Sequence, residues 1–518
     1  MVKENRIIID VGSKKKTINP MIYSAFIEHL GECIHNGLWT YDPVNVPLVK
    51  GNQFLEGVRE DVLEAAKDLS VSVLRAFGGC YSDVYHWKDA IGPRNSRKKI
   101  KNRQWSRFPM NFVRSLGPKI ENQFGTNEFL HFCEAIGAEA YLNINYSTGT
   151  LEEAANWVEY CNSSIDTEYG ALRAKNGRKK PYNVKYWGIA NEIWGPQEVG
   201  REKHPENYAK KYLTFAKVMR EKDPSIKLIA VGWFKSYWNQ TVLKLIGEEW
   251  VDYLSMHKYV PLPFGLTTLI RQKHPHKEKT YYSLMSAHRT IEGEIRDAWE
   301  DITTALGKDT HVRITFDEWG IWYILKDLIH TNFNLQDGLA TALNLMIFQR
   351  MSDKSPMANW AQLVNVVGTI QTDPDGIIIT PPYLALKMIQ DHSYNNLIDD
   401  VDVNCDIFES RKYGQIKKYK DTPYVMCNAT VNNKKNALSL IIVNKHFSDD
   451  LKIILEIKGF NPKEKGTKIE LNSESPFDYN ITENRNRIQL KESELDNVSL
   501  NMTIELPAHS ITVLKLSQ

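Results

Sequence analysis

Cysteine is scarce, with six among 518 residues, at positions 33, 80, 133, 161, 405 and 427. They are scattered, with no CxxC pair and no zinc-like His/Cys spacing, so neither a disulfide framework nor a metal site is indicated, and most read as buried thiols. An excess of one charge is missing too. Lys and Arg number 65 against 63 Asp and Glu, a net +2, which gives no broad electrostatic reason to bind nucleic acid or an anionic membrane. The basic run Arg94 to Arg103 is local and reads as a solvated or interface loop. No stretch approaches the apolar length of a membrane span. The amino terminus, Met1 to Asp10, starts charged but lacks a signal-type apolar core and reads as a β-strand, so a cytoplasmic location is expected. Without a secretory signal, the Asn-x-Ser/Thr sequons at Asn428 and Asn497 carry no meaning. Long linkers, internal repeats and low-complexity segments are absent as well.

What the chain does have is apolar material, 42% of its residues beside 25% charged, enough for one large core and a second smaller domain. Up to about residue 390, strand-like runs alternate with helical segments. The runs are Met21 to Ile27, Val71 to Phe77, Glu139 to Asn145, Val184 to Ala190, Ile226 to Val231, Asp252 to His257, Val312 to Phe316 and Met357 to Leu363. Thr150-Leu151-Glu152-Glu153 is a capping box opening an amphipathic helix. Another helix is predicted from Thr126 to Gly137, a residue suited to the left-handed C-terminal position. Eight alternations predict an α/β fold, a closed (β/α)8 TIM barrel over residues 16–390. Beyond Asp391 the segments are short and β-like, separated by turn residues. They predict an antiparallel, jelly-roll-like β-sandwich, formed by residues 391–518 with 1–15, because the strand at Arg6 to Val11 can pair with it.

The chemistry is carried by two acidic residues. Asn191-Glu192 follows the apolar run at 184–190 and Asp317-Glu318 follows the run at 312–316, so each glutamate is expected at the carboxyl end of a buried parallel strand. In a (β/α)8 barrel that end is the active-site face. Two facing carboxyls, one kept protonated by its neighbour's charge and the other ionised, form the glycosidase arrangement. Retention of configuration requires them about 5–5.5 Å apart. Taken alone, either dipeptide is equally an ordinary surface or cap feature.

A specific resemblance runs through the chain. Tyr23-Ser24-Ala25-Phe26-Ile27-Glu28-His29-Leu30-Gly31, Leu74-Arg75-Ala76-Phe77-Gly78-Gly79, the stretch Tyr85 to Arg94 and Phe124 to Phe129 resemble signature segments of glycoside hydrolase family 51. So do Thr148-Gly149-Thr150 with Glu153 to Asn162, Trp187 to Glu192, Phe316-Asp317-Glu318-Trp319 and Ala361 to Asn365, all in order. The resemblance implies a retaining, exo-acting α-L-arabinofuranosidase working on arabinose-bearing plant oligosaccharides, arabinan or arabinoxylan, with no cofactor and no metal. It assigns Glu192 as general acid/base and Glu318 as nucleophile, with Tyr259 hydrogen-bonded to the nucleophile. Glu28, Asn191 and Gln362 match sugar-binding positions, and Arg75 is expected to pair with a carboxylate, with Glu28 as one candidate. Trp87 and Trp319 offer faces for sugar packing or are simply core. A homo-oligomer, hexamer or trimer, is implied as well.

Departures bear on substrate choice. Where the family reads Arg-Tyr-Pro-Gly-Gly-Asn, this chain has Arg75 to Cys80, so a thiol, a weak hydrogen-bonding group, stands where an amide contacts the sugar. Gly320 follows Trp319 in place of the family asparagine, and Val260 to Lys277 does not follow the usual loop. Three alternatives therefore stand beside the main reading. One is a related β-glucan or β-xylan hydrolase, invited by Cys80. Another is a non-catalytic carbohydrate-binding barrel, and the last is a metal-dependent hydrolase, for which His257 is a lone histidine near the site.

Overall fold

A computed structural model describes residues 4–42, 44–106, 119–262, 278–323 and 331–518. Eight parallel strands close into a barrel. In chain order they are Ser24–Phe26, Val73–Ala76, Glu139–Ile144, Tyr186–Ile189, Lys227–Val231, Tyr253–Pro261, Arg313–Trp322 and Met357–Ala361, called strands one to eight below. A helix follows each, from Glu60–Asp68 after strand one to Pro381–His392 after strand eight. Parallel strands need such crossovers, and burial on both faces explains why the runs read as continuously apolar. At the bottom of the barrel Val73, Tyr141, Tyr186, Ile229 and Met357 fill the interior as one packed layer.

Local signals place the helices. The helix Thr126–Ile136 stops at Gly137, whose φ of +76° is the left-handed conformation a side chain would resist. Thr150 caps Leu151–Asn162 by accepting from the Glu153 N–H. The Glu153 side chain, however, turns away to His86 at 3.0 Å, so only half of the expected capping box forms.

Several expectations are corrected at the ends of elements. Strand one starts at Ser24 and not Met21, because Pro20–Ile22 is a 3₁₀ turn capped by the Asn19 side chain. Strands six and seven run further than their apolar cores, to Pro261 and Trp322, since they pair with each other beyond the rest of the barrel. Glu318 therefore lies inside strand seven, whereas Glu192 lies past the end of strand four. In the basic run Lys98, Lys99, Lys101 and Arg103 are exposed, whereas Arg97 is not. Arg97 is buried on Glu128, donating to its oxygens at 2.9 and 3.1 Å and to the carbonyls of Gly92, Asn122 and Gln123.

The C-terminal region stacks two sheets. Arg6–Asp10 lies between Val401–Asn404 and Leu451–Lys458 in a four-stranded sheet, packed on a seven-stranded sheet built around Val425–Val431, Ala437–Asn444 and Ser510–Ser517. Ile7 and Ile9 join Cys427, Leu440, Ile453, Leu455 and Leu514 in its core. Within these two sheets one pair breaks the antiparallel expectation: Arg6–Asp10 runs parallel to Leu451–Lys458. The strand comes from the far end of the chain, so no hairpin dictates its direction. Asn428 docks the sandwich on the barrel, donating to Met346 O and Gln349 Oε1 while accepting from Arg350.

Candidate active site

The carboxyl ends of the strands surround a cavity of about 460 Å³ lined by Glu28, Cys80, Glu192, Tyr259, Glu318 and Gln362, among others. Gln415, from the C-terminal region, reaches it as well. Position in the strand explains the set. Ser255, His257 and Tyr259 alternate along strand six, and Tyr141 and Asn143 along strand four's neighbour, strand three, so each series faces one side.

Glu318 is held from three directions. Its Oε1 accepts from Arg75 Nη1 at 2.9 Å, its Oε2 accepts from the Tyr259 hydroxyl at 2.9 Å, and His257 Nδ1 lies 3.4 Å from that same oxygen. Burial raises its carboxyl above the ordinary range, His257 and Arg75 oppose that, and Glu192 adds to it. Asp317 points the other way, accepting from Tyr141 at 2.7 Å and Ser255 at 2.6 Å. Burial works against its charge, yet Arg75 and His257 hold it down to about 2.

Arg75 is fully buried between the rings of Phe26 and Tyr141, each 5.4 Å away. It donates to Glu318, to Asn143 Oδ1 at 2.9 Å, to Asn191 Oδ1 at 2.7 Å and to the Asp317 carbonyl. Its hydrogen-bonded carboxylate partner is thus Glu318 and not Glu28. Asn191 spends its oxygen on Arg75 and directs its amide at Cys80 Sγ, 3.8 Å away.

Glu192 occupies a bend in which Ala190 and Glu192 itself have φ of +77° and +39°. Non-glycine residues pay about 1–3 kcal/mol for such a conformation, a cost found where a side chain must be aimed. Its Oε1 meets His257 Nδ1 at 2.9 Å and its Oε2 accepts from Gln197 Nε2 at 3.0 Å. Burial disfavours charge on His257, but Glu318, Asp317 and Glu192 push its pKa up to about 10, so it is an imidazolium at neutral pH. Oxygens of Glu192 and Glu318 lie within 4.8 Å of each other across it. That closeness agrees with the short separation of a retaining pair.

On the opposite side, Glu28 accepts from the Tyr81 N–H at 2.7 Å and from Gln362 Nε2 at 3.3 Å. Burial, then the Glu318 charge, raises it to about 8, so it is chiefly a neutral acid able to donate at pH 7. A Cβ on Gly79 would sit 2.8 Å from Glu28 Oε2, which is why glycine stands there. Gln362 Oε1 is buried without a hydrogen-bond partner.

Models of an α-L-arabinofuranosidase 1 domain and an α-L-arabinofuranosidase C-terminal domain match residues 65–271 and 317–510. α-L-Arabinofuranosidase C of Emericella nidulans is 33% identical over 516 residues, 96% of this chain and 94% of the relative. A family 51 α-L-arabinofuranosidase structure from Thermotoga petrophila RKU-1 superposes with a TM-score of 0.86 at 33% identity, covering 99% and 100% of the two chains. The chain belongs to the α-L-arabinofuranosidases of glycoside hydrolase family 51. An intracellular exo-α-L-arabinofuranosidase from Bacteroides ovatus is 32% identical across 99% of this chain and 96% of its own length.

Of the two readings left open for Trp87 and Trp319, sugar platform or core, the structure gives core. Trp319 is 1% exposed and packs on Phe348 and Trp360, and Trp87 is buried against Trp157 with its N–H on the Glu153 carbonyl. Trp322, Trp194 and Trp105 line the cavity in their stead. The alternation Ser255-x-His257-x-Tyr259 was the available signal for His257 and Ser255. The divergent loop after strand six lies, from residue 263 to 277, outside the described residues. The barrel also gathers ligand-type side chains that linear spacing keeps apart. Glu192, His257 and Glu318 form one such group, and Cys80, Glu192 and Glu198 another.

Proposed function

We propose that this family 51 chain is a retaining, exo-acting α-L-arabinofuranosidase in which Glu318 is the nucleophile and Glu192 the acid/base. The observation that carries the assignment is the pair of glutamate oxygens within 4.8 Å, bridged by a charged His257. Glu318 attacks the anomeric carbon as Glu192 gives a proton to the departing glycosidic oxygen. Water, deprotonated by Glu192, then cleaves the resulting ester and regenerates Glu318. Arg75, Tyr259 and His257 position the nucleophile and stabilise its charge, and Gln197 and His257 orient Glu192. Glu28 and the free Gln362 oxygen offer a donor and an acceptor to sugar hydroxyls. The name of the Bacteroides ovatus relative, an exo-α-L-arabinofuranosidase, supports exo action. Terminal arabinofuranose on plant oligosaccharides, arabinan or arabinoxylan is the substrate this reading names.

Initial rates on aryl α-L-arabinofuranoside, beside aryl β-D-xyloside, β-D-glucoside, β-D-galactofuranoside and a soluble β-glucan, test it. Dominant arabinofuranoside turnover is expected, lost by on the order of 10⁴-fold or more in Glu318→Ala. Glu192→Ala should retain glycosylation by an activated aryl substrate, stall at hydrolysis and recover rate with azide. Equal turnover in either variant would reject the roles. Greater activity on the β-glucan would point to the redirected hydrolase that Cys80 invites.

The reading extends to a cytoplasmic homo-oligomer of three or six chains, with residues 16–390 as the catalytic unit and 1–15 plus 391–518 as the sandwich. The name of the Bacteroides ovatus relative supports the location, and the pairing of Arg6–Asp10 with Val401–Asn404 supports the division. A monomer in sedimentation velocity at micromolar concentration would overturn the oligomer.

A further inference from the structure

Behind the acid/base wall of the cavity lies a buried acid that the glycosidase chemistry leaves unused. Glu198 is 1% exposed, and neither of its oxygens has a hydrogen-bond partner in regular geometry. The charged groups that act on it most strongly, Asp83, Glu192 and Glu28, are all acidic, and the Cys80 thiol is the polar group turned toward it. A carboxyl in that position is short of a cation. One oxygen of Glu198, one of Glu192 and Cys80 Sγ lie within 4.8 Å of one another. Cys80 and Glu192 also face the cavity, so an ion arriving from solvent has a path to the cluster.

We infer that Cys80, Glu192 and Glu198 form a binding site for a borderline-soft divalent cation of the Zn²⁺ class, whose occupancy blocks the acid/base. A thiolate and two carboxylates provide three ligands of the kinds zinc accepts, at bonds of about 2.3 Å to sulfur and about 2.0–2.2 Å to oxygen, leaving a fourth position open to cavity water. Tetrahedral ligands at those bond lengths stand about 3.4–3.7 Å apart, so side-chain shifts of about an ångström close the set. Binding displaces to solvent the thiol proton and the proton of any carboxyl that was neutral, and leaves a thiolate–zinc bond and two carboxylate–zinc bonds. The neighbouring set of Glu192, His257 and Glu318 is the poorer site. Its members already hold hydrogen bonds to Arg75, Tyr259, Gln197 and Asp317 or to each other, which a metal would have to break. The Cys80 set shares Glu192 and its bonds to Gln197 and His257, but Glu198 gives up only the contact of the Cys80 thiol.

The test is calorimetric titration of the full-length protein with Zn²⁺, with Co²⁺ as a spectroscopic substitute. One equivalent is expected to bind, and Co²⁺ should give thiolate-to-metal charge-transfer absorption. Cys80→Ser should abolish that band, and both Cys80→Ser and Glu198→Gln, near-isosteric and checked for folding by circular dichroism, should weaken Zn²⁺ binding at least about tenfold. Unchanged affinity in both variants, a missing thiolate band, no saturable binding, or loss of binding in His257→Gln alone would overturn the proposal. In the wild type, Zn²⁺ should inhibit aryl arabinofuranoside hydrolysis, with a chelator restoring it. That activity arm rests on the role given to Glu192, whereas the binding arm does not, so a failure of one is distinguishable from a failure of the other.

Discussion

On the Glu318 side of the cavity, buried Asp317 and Glu318 each meet an arginine, a histidine and a hydroxyl, whereas on the Cys80 side Glu198 is as deeply buried and faces a thiol and other acids. Both walls sit at the same end of one barrel, and Asp317, Glu318 and Glu198 are all buried. Burial alone therefore does not decide whether a carboxylate is stable in its place. What decides it is whether neighbouring strands project a donor or a cation to meet it. Strands two and six do so for Glu318, through Arg75 and through His257 and Tyr259. The segment after strand four, which carries Glu192 and Glu198, brings only Gln197, and its amide goes to Glu192.

The contrast breaks most severely if the satisfied wall loses its cation. Arg75→Met leaves Asp317 and Glu318 buried without the guanidinium and is expected to cost about 3–5 kcal/mol of folding stability. Arg75→Lys should recover only part of that, because an ammonium cannot hold Glu318, Asn143 and Asn191 together in one plane. Chemical denaturation at pH 7 reads both. A cost under about 1 kcal/mol for the methionine variant would mean that this wall is no better compensated than the other.

Glu28 gives an effect of similar size with a pH signature. Its pKa rises from 4.5 unfolded to about 8 folded, so the unfolded chain releases this proton first. The folded state is therefore favoured below about pH 4.5, and the advantage falls as pH rises towards 8, after which it levels off. At about 1.4 kcal/mol per unit of displacement, the swing is a few kcal/mol. Glu28→Gln should flatten that part of the stability curve from pH 5 to 8. An unchanged slope would assign it to other groups.

How much of this was legible before any coordinates depends on which interactions are local. The eight strand runs, the Gly137 stop and the Thr150 cap are written in adjacent residues, and so are the two carboxylates, while Tyr259 came from the family resemblance. Arg75 was recognisable as a partner for a carboxylate, but its choice of Glu318 over Glu28 depends on how strand two faces strand seven across the barrel. Trp319 failed as a sugar platform for a related reason. Strand seven continues past Glu318, so alternation turns Trp319 outward against Phe348, and Trp322 reaches the cavity. Glu198 carried no signal at all, since an acid in a loop reads as solvated until the fold covers it.

The smallest expected effect sharpens the comparison because its sign is opposite. Glu198→Gln keeps the shape of the side chain and removes a carboxyl whose pKa burial, Asp83 and Glu192 raise well above the ordinary range. A raised acid destabilises the folded chain progressively above its unfolded pKa, since ionisation is favoured only after unfolding. With divalent metal chelated, the glutamine variant should therefore be more stable than wild type at pH 8, where the removed penalty is larger, and close to it at pH 5. Denaturant midpoints at the two pH values measure the difference. If Glu198→Gln instead destabilised the protein as Arg75→Met does, Glu198 would have a partner as effective as those of Glu318, and the two walls would be alike. If the gain appears and Zn²⁺ reverses it, stabilising wild type over the variant, then the poorly compensated wall is the one built to receive a cation, and its instability when empty is the counterpart of that affinity.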